Sequence, residues 1–281
     1  MSSTNATPPL PYAAVAGSLS VSIVVYRLDE TEFARVLQTL FSAAQHVRDV
    51  AIDLTLIDNS EHAGLALRLK ALASSASWGH ATVISGQGNV GYGAGHNLAI
   101  QTTKSAAHLV LNPDVELDPD SLRCALQTLA EPGVALVGAV GRDAAGRPAY
   151  LSKRMPGIWI FFLRGFAPAW LKRPFEDRLA HYEYRDLPQD RISDVVLVSG
   201  AFMLCRSEAL KAVGGFDQRY FLHFEDLDLS LRIGTRGRVV SDPRATLIHY
   251  GGHSAKKGLH HIRLFARSAF RFFNTHGWRW L

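Results

Sequence analysis

Three short runs of β-branched and aliphatic residues, Leu19–Tyr26 (LSVSIVVY), Ile52–Ile57 and Ala81–Ile84, alternate with two stretches of helical apolar spacing. In Glu32–Val47 the apolar residues Phe33, Val36, Leu37, Leu40, Phe41 and Ala44 recur every three or four positions, and Leu65–Ala73 reads the same way. Strand, helix, strand, helix, strand requires crossover connections, and hence a parallel sheet covered by helices. Leu19–Tyr26 is apolar enough for burial on both faces. The pattern predicts an α/β fold whose ligands bind outside the carboxyl ends of the strands. A chain of 281 residues, 47% hydrophobic and 20% charged, has length for one large α/β domain or two small ones.

The next candidate strand, Ala107–Leu111, runs into the segment Leu109–Asp118 (LVLNPDVELD). Pro113 has no N–H and stops the ladder, which leaves Asn112, Asp114, Glu116 and Asp118 at the strand's carboxyl end. A carboxylate held there can ligate a hard divalent cation, and the cation can hold a diphosphate. A polar turn with solvated acids is the alternative. Just upstream, Gly86–Asn97 (GQGNVGYGAGHN) precedes a helix expected at Leu98–Ser105. Its glycines permit close backbone approach to a ligand, or simply form a flexible turn. It follows the third strand and contains no G-x-G-x-x-G, which argues against a nicotinamide-dinucleotide site.

The second half predicts a helix at Asp120–Ala130, a strand at Val134–Val140 and a turn-rich hairpin at Gly141–Pro148. Lys153–Arg191 is basic, aromatic and irregular; it is either an acceptor-side or membrane-side insertion or packing against the sheet. Asp194–Cys205 reads as two strands broken at Ser199-Gly200-Ala201, where small residues let another group approach the backbone. A short helix is expected at Ser207–Val213. In Phe221–Arg232 (FLHFEDLDLSLR) a helix is expected from Glu225, because acids are stabilised at a helix N-terminus. Three acids in four residues repel one another unless a cation, a base role or solvent compensates, and a raised pKa among them suits a general base. Short strands at Arg238–Val240 and Ala245–Ile248 precede His249 and His253, which are structural or face a metal or phosphate. Leu259–Phe273, with Arg263, Arg267 and Arg271 in one row, is an amphipathic helix that packs on the domain or lies on a membrane.

The formal net charge of +5 does not indicate a nucleic-acid partner, and none is expected. The basic residues are concentrated in Lys153–Arg191 and Lys256–Arg279, among aromatics, as suits a surface near anionic lipid. Cys124 and Cys205 lie in apolar surroundings without a CxxC spacing and read as buried thiols in a reducing compartment. No apolar run reaches the ~20 residues of a membrane span. These features place the chain in the cytoplasm, with a peripheral position on the inner face of a membrane left open. Met1–Gly17 is expected to be a loose leader.

Taken together and in order, Ser22–Tyr26 (SIVVY), Ile57–Ser60 (IDNS), Gly88–Asn97 (GNVGYGAGHN), Leu111–Asp114 (LNPD), Phe224–Leu229 (FEDLDL) and His249–Ser254 (HYGGHS) resemble the family 2 inverting glycosyltransferases. Within these the likeness is to rhamnosyltransferase-like enzymes of bacterial cell-surface polysaccharide (O-antigen and lipopolysaccharide type) assembly. The resemblance implies a GT-A fold: a mostly parallel, Rossmann-like sheet flanked by helices. It implies one domain over residues 18–281, with a nucleotide-sugar half at 18–118 and an acceptor half with the C-terminal helix at 119–281. Val25 and Tyr26 would then lie beside the nucleoside and Asp58 would bond the base, while Asn89, Gly91 and Asn97 shape the pocket. Asp114 would ligate Mg2+ or Mn2+ on the donor diphosphate, with His249 assisting. Asp226, with Glu225 alongside, would be the general base, and Asp228 would support the local structure. The implied donor is dTDP-L-rhamnose or a UDP sugar, and the acceptor a glycan or lipid-linked hydroxyl. Asn112 stands where the family usually has an Asp, which lowers the charge of the implied metal site. A nucleotidyltransferase or a non-catalytic sugar-nucleotide-binding protein is the alternative; the first would not need the acids at Glu225–Asp228.

Overall fold

The computed structural model describes residues 17–165, 167–251 and 259–280. The leader, apart from Gly17, and His253 lie outside that description. The first third forms β1 (Ser18–Val25), α1 (Glu30–Gln45), β2 (Ala51–Asp58), α2 (Leu65–Ser75), β3 (Thr82–Ile84), α3 (Tyr92–Ile100) and β4 (Ala107–Leu111). Strands β3, β2, β1 and β4 lie side by side in that order, all parallel, as the crossover pattern demands. Next come β5 (Val115–Leu117), α4 (Ser121–Ala130), β6 (Val134–Arg142), β7 (Ser152–Lys153), α5 (Ile158–Gly165), α6 (Ala169–Lys172) and α7 (Glu176–Tyr182). The chain continues through β8 (Ser193–Asp194), β9 (Leu197–Val198), β10 (Phe202–Arg206), α8 (Ser207–Ala212), α9 (Glu225–Gly234), β11 (Arg238–His249) and α10 (Leu259–His276). Among the described residues the main sheet has nine strands, ordered β3-β2-β1-β4-β10-β6-β11-β5, with β8 beside β11. The antiparallel β10 joins the two parts of the sheet between β4 and β6, and β6 and β11 are again parallel. β7 and β9 form a small sheet of their own.

The alternation of side chains along β1 decides what each face holds. Leu19, Val21, Ile23 and Val25 enter one core with Phe33, Val36, Leu37 and Leu40 of α1, Leu65 and Leu69 of α2, and Leu122 and Leu126 of α4. On the opposite face Ile100, Val110, Leu136, Met203, Leu210, Phe216, Leu229 and Ile233 form a second core under α3, α8 and α9. β1 is thus buried on both faces, as expected, but the second face carries polar groups as well as apolar ones. Ser22 Oγ sits 2.7 Å from His96 Nδ1 and 2.8 Å from His108 Nε2, and Ser20 Oγ sits 2.6 Å from His108 Nδ1. The two serines are buried because each has a buried imidazole to bond. Burial pushes both imidazoles down, His108 to about 3.

Three other elements differ from expectation. α3 begins inside the glycine segment, at Tyr92 rather than Leu98. A Cβ on Gly93 would meet Phe216 at 2.8 Å and one on Gly95 would meet Val24 at 2.9 Å, so these glycines bring the helix close to its neighbours despite their poor helix propensity. Lys153–Arg191 is not irregular: α5 and α7 bury Ile160, Leu163, Leu179 and Tyr182 against one another. The two strands expected at 238–248 are one strand with a register shift between Asp242 and Thr246, where Pro243 cannot donate to the ladder. Both cysteines are buried free thiols, as expected, and burial pushes the Cys205 thiol up.

Candidate active site

The carboxyl ends of β1 and β2 hold the glycine segment. The Asn59 backbone N–H donates to the Val25 carbonyl at 2.8 Å, and its side-chain amide donates to the Gly91 carbonyl at 3.0 Å and to Asn89 Oδ1 at 3.3 Å. Asn89 Oδ1 also accepts from the Gly91 N–H at 3.2 Å. Asp58 Oδ1 accepts from the Ser60 N–H at 3.0 Å and the Ser60 hydroxyl at 2.7 Å, while Gln87 donates to the Asp58 carbonyl at 2.7 Å. Tyr26, 48% exposed, offers its ring at this edge, with the Arg27 guanidinium 5.7 Å from the ring centroid. Val25 does not offer its side chain: strand alternation points it into the core, and it serves the site through its carbonyl. Asn97 is buried on α3 and bonds to the Phe216 backbone. Its amide donates to the Phe216 carbonyl at 2.8 Å and its Oδ1 accepts the Phe216 N–H at 2.9 Å.

The Asn-Pro-Asp turn lies next to this edge. The Asn112 N–H donates to the Ala201 carbonyl at 3.1 Å, which ties the turn to the start of β10. Antiparallel pairing of β5 and β11 places His249 opposite Val115, and the Tyr250 N–H donates to the Asp114 carbonyl at 3.1 Å. His249 Nε2 is thereby 3.5 Å from Asp114 Oδ1, both groups being partly exposed. That separation is compatible with two ligands of one divalent ion, the remaining positions falling to phosphate oxygens and water. Among the described residues no cluster of three or more His, Cys, Asp or Glu is arranged for a metal, and this pair is what they would bring to such a site. The other acids of the turn have structural partners: Glu116 pairs with Arg35 at 2.7 Å, and Asp118 accepts from the Thr246 hydroxyl.

The acidic cluster comes to the same place through Gly200. Asp226 Oδ2 accepts the Gly200 N–H at 2.9 Å and Oδ1 accepts the Leu227 N–H at 2.9 Å. Asp226 is partly exposed, whereas Glu225 is buried with its Oε2 lacking any hydrogen-bond partner. Burial raises the pKa of both carboxyls, and the neighbouring Asp226 charge raises that of Glu225 further; the two backbone N–H groups oppose the shift at Asp226. Of the two, Asp226 is the more exposed and the one whose charged form is held by backbone N–H groups. Asp228 is 2.7 Å from Arg232 Nε and 2.8 Å from His276 Nε2 and clamps α9 to α10.

Two residues that sequence reasoning did not single out complete the site. The Tyr92 hydroxyl lies 2.8 Å from Asn112 Oδ1 and 2.8 Å from the Gly200 carbonyl, so one phenolic proton serves both acceptors. Burial and the surrounding charges of Asp226, Glu225 and Asp114 raise its pKa. The small residue at 200 admits this ring, since a Cβ there would meet the Tyr92 hydroxyl at 3.0 Å. The other is Asn59, whose bonds shape the glycine segment. An aromatic set among glycines, and an amide following Asp58 at a strand end, were the available signals. His223 and Phe224, both at φ 70, aim the acids from a left-handed turn; Phe224 is held there by Phe161, Phe265 and Phe272, at ring-centroid distances of 4.8, 5.1 and 5.3 Å.

Comparison with known proteins gives the family of the chain. The family model described as glycosyltransferase like family 2 matches residues 18–259. The chain is 32% identical over 184 residues to the N-acetylglucosaminyl-diphospho-decaprenol L-rhamnosyltransferase of Mycobacterium tuberculosis, covering 59% of this chain and 57% of that protein. It therefore spans just over half the length of that relative. It is 29% identical over 202 residues to rhamnosyltransferase WbbL of Escherichia coli K12, covering 67% of this chain and 72% of that one. Two solved structures share the fold, each at 15% identity and a TM-score of 0.60. GalNAc-T7 with UDP, GalNAc and Mn2+ covers 83% of this chain and 43% of its own; the mannosyltransferase PcManGT from Pyrobaculum calidifontis with GDP-Man and Mn2+ covers 89% and 63%. With residues 18–259 matched by the family model and the GT-A architecture in place, the chain belongs to glycosyltransferase-like family 2.

Proposed function

We propose that the protein transfers a sugar from a nucleoside diphosphate sugar to an acceptor hydroxyl with inversion, the donor being dTDP-L-rhamnose and the acceptor a lipid-linked or glycan hydroxyl in cell-surface polysaccharide assembly. One observation carries the reading: Tyr92 joins Asn112, two residues from Asp114, to Gly200, whose N–H holds Asp226, so the carboxylate suited to a donor diphosphate and the one suited to a base share one site. The rhamnosyltransferase names of the relatives support the donor sugar. The N-acetylglucosaminyl-diphospho-decaprenol acceptor in the mycobacterial relative's name supports the lipid-linked acceptor.

In this scheme the nucleoside rests at Tyr26, Asp58 and the Asn89–Gly91 backbone, and the diphosphate lies toward Asp114 and His249. Those two side chains would hold a divalent cation, Mg2+ or Mn2+, which when bound supplies charge stabilisation to the departing diphosphate. Asp226 takes the proton of the acceptor hydroxyl as its oxygen forms a bond to the anomeric carbon. The bond from that carbon to the diphosphate breaks on the opposite side, and the electron pair leaves with the nucleoside diphosphate. Glu225, buried and raised in pKa, keeps its proton and adds no second charge beside the base.

The deciding experiment is thermal-shift binding of the dTDP and UDP nucleotide and nucleotide-sugar series with and without Mn2+. A metal-dependent rise in midpoint with one series identifies the donor base; no rise with any member rejects the reading.

A further inference from the structure

We propose that the outer face of α10, together with the C-terminal segment and α5, is a docking surface for an anionic lipid bilayer. The apolar face of α10 is wider than the domain covers. Its inner side, Phe265, Ala269, Phe272 and Phe273, packs into the core that contains Phe224. The outer flank of the same face carries a second, adjoining apolar row at four-residue spacing, Ile262, Ala266 and Phe270, and all three are exposed. A helix that only packs on its own domain needs one such row.

The outer row continues beyond the helix. The Trp278 ring is 5.7 Å from that of Phe270 and stacks at 5.6 Å on Phe273. The C-terminal segment is bonded to the start of α5, the Ile158 N–H to the Arg279 carbonyl at 2.9 Å and the Trp159 N–H to the Trp280 carbonyl at 3.4 Å. Trp159, Phe270, Trp278 and Trp280 are thus collected on joined elements, each about half exposed or more. Tryptophan with an apolar body and a polar edge is the side chain that favours the headgroup boundary. Arg263 and Arg267 form an exposed row beside the apolar one, and Arg279 lies between Trp278 and Trp280. Exposed aromatics flanked by cations complement a surface that is apolar beneath and anionic above, which is why the occupant is a bilayer rather than a second protein. Among the described residues no helix is long and apolar enough to cross a membrane, so the contact is one of lying on the surface.

The same helix grips the segment that carries the base. The Ser268 hydroxyl donates to the Leu222 carbonyl at 2.9 Å, and His276 meets Asp228 at 2.8 Å. Docking of the outer face would therefore fix Asp226 at a set height above the lipid. This part deepens the proposed function and rests on it, since it implies an acceptor hydroxyl presented at a membrane surface.

The test is flotation of the full chain with phosphatidylcholine vesicles, with and without phosphatidylglycerol, beside sedimentation velocity. The expected result is co-flotation that needs phosphatidylglycerol, weakens with salt, and falls by roughly tenfold or more in a Phe270→Ser/Trp280→Ser variant. An Arg263→Gln/Arg267→Gln variant should lose the salt-sensitive part. Nucleotide-induced thermal shifts should match wild type in both variants, which also shows that they fold and keeps this test separate from that of the donor site. Failure of the wild-type chain to float with anionic vesicles overturns the proposal. So does flotation that ignores the substitutions, or a wild-type dimer that the Phe270→Ser/Trp280→Ser variant dissociates.

Discussion

Asp226 Oδ2 accepts the backbone N–H of Gly200 at 2.9 Å, across 26 residues of sequence. The bond orients one carboxylate oxygen and stabilises its charged form in a place where burial opposes charge. Asp226→Asn removes the proposed base while keeping the shape. Transfer should fall by roughly 10²–10⁴-fold with donor affinity nearly unchanged, measured as kcat beside nucleotide-sugar binding. Full activity would transfer the role to Glu225.

Tyr92→Phe removes the proton that Asn112 and Gly200 share and leaves the ring in its packing against His96 and Phe216. The expected loss in kcat is about tenfold, one hydrogen bond in a partly buried site, with a smaller change in donor KM and little change in Tm. Equal loss in an Asn112→Ala variant, without further loss in the double variant, would show that the two act through the same bond.

Asp114→Asn and His249→Ala should each weaken metal-dependent donor binding by about 10–100-fold, the range for one charge-assisted contact. Binding without metal should change less. A titration of nucleotide with and without Mn2+, read by calorimetry, separates these effects.

Glu225 governs a pH dependence of stability. Its folded pKa is raised above the unfolded value, so between the two the folded state binds more protons and stability falls as pH rises. Glu225→Gln removes the titration. Its Tm should gain on wild type progressively from the ordinary carboxylate range into neutral and mildly alkaline pH, and the two should converge in acid. A difference that does not vary with pH would contradict this account.

Gly91→Ala tests the seam between the two halves of the site. Gly91 has φ +92, and a Cβ there would meet the Phe221 carbonyl at 2.5 Å, beside the bond from the Tyr92 N–H to that carbonyl. The substitution should destabilise the protein by about 1–3 kcal/mol and weaken nucleotide binding, as read by denaturant unfolding and thermal shift.

The alternation of Leu19–Tyr26, Glu32–Val47 and Ile52–Ile57 determined the parallel part of the sheet, because the period of apolar residues is a local property that the chain carries whatever surrounds it. The same holds for Pro113, which marked the strand end, and for the acids of Phe221–Arg232, which marked a helix start at Glu225. The start of α3 at Tyr92 was not legible, since Gly93 and Gly95 weigh against a helix until their packing with Phe216 and Val24 is known. Nor were the partners of Ser20 and Ser22, because His96 and His108 arrive from elsewhere in the chain. Sequence could name Asp114 and Asp226 as acids in suitable places. Only the tertiary structure brought them together, through Asn112, Tyr92 and Gly200, because hydrogen bonds between residues tens of positions apart leave no local period to read.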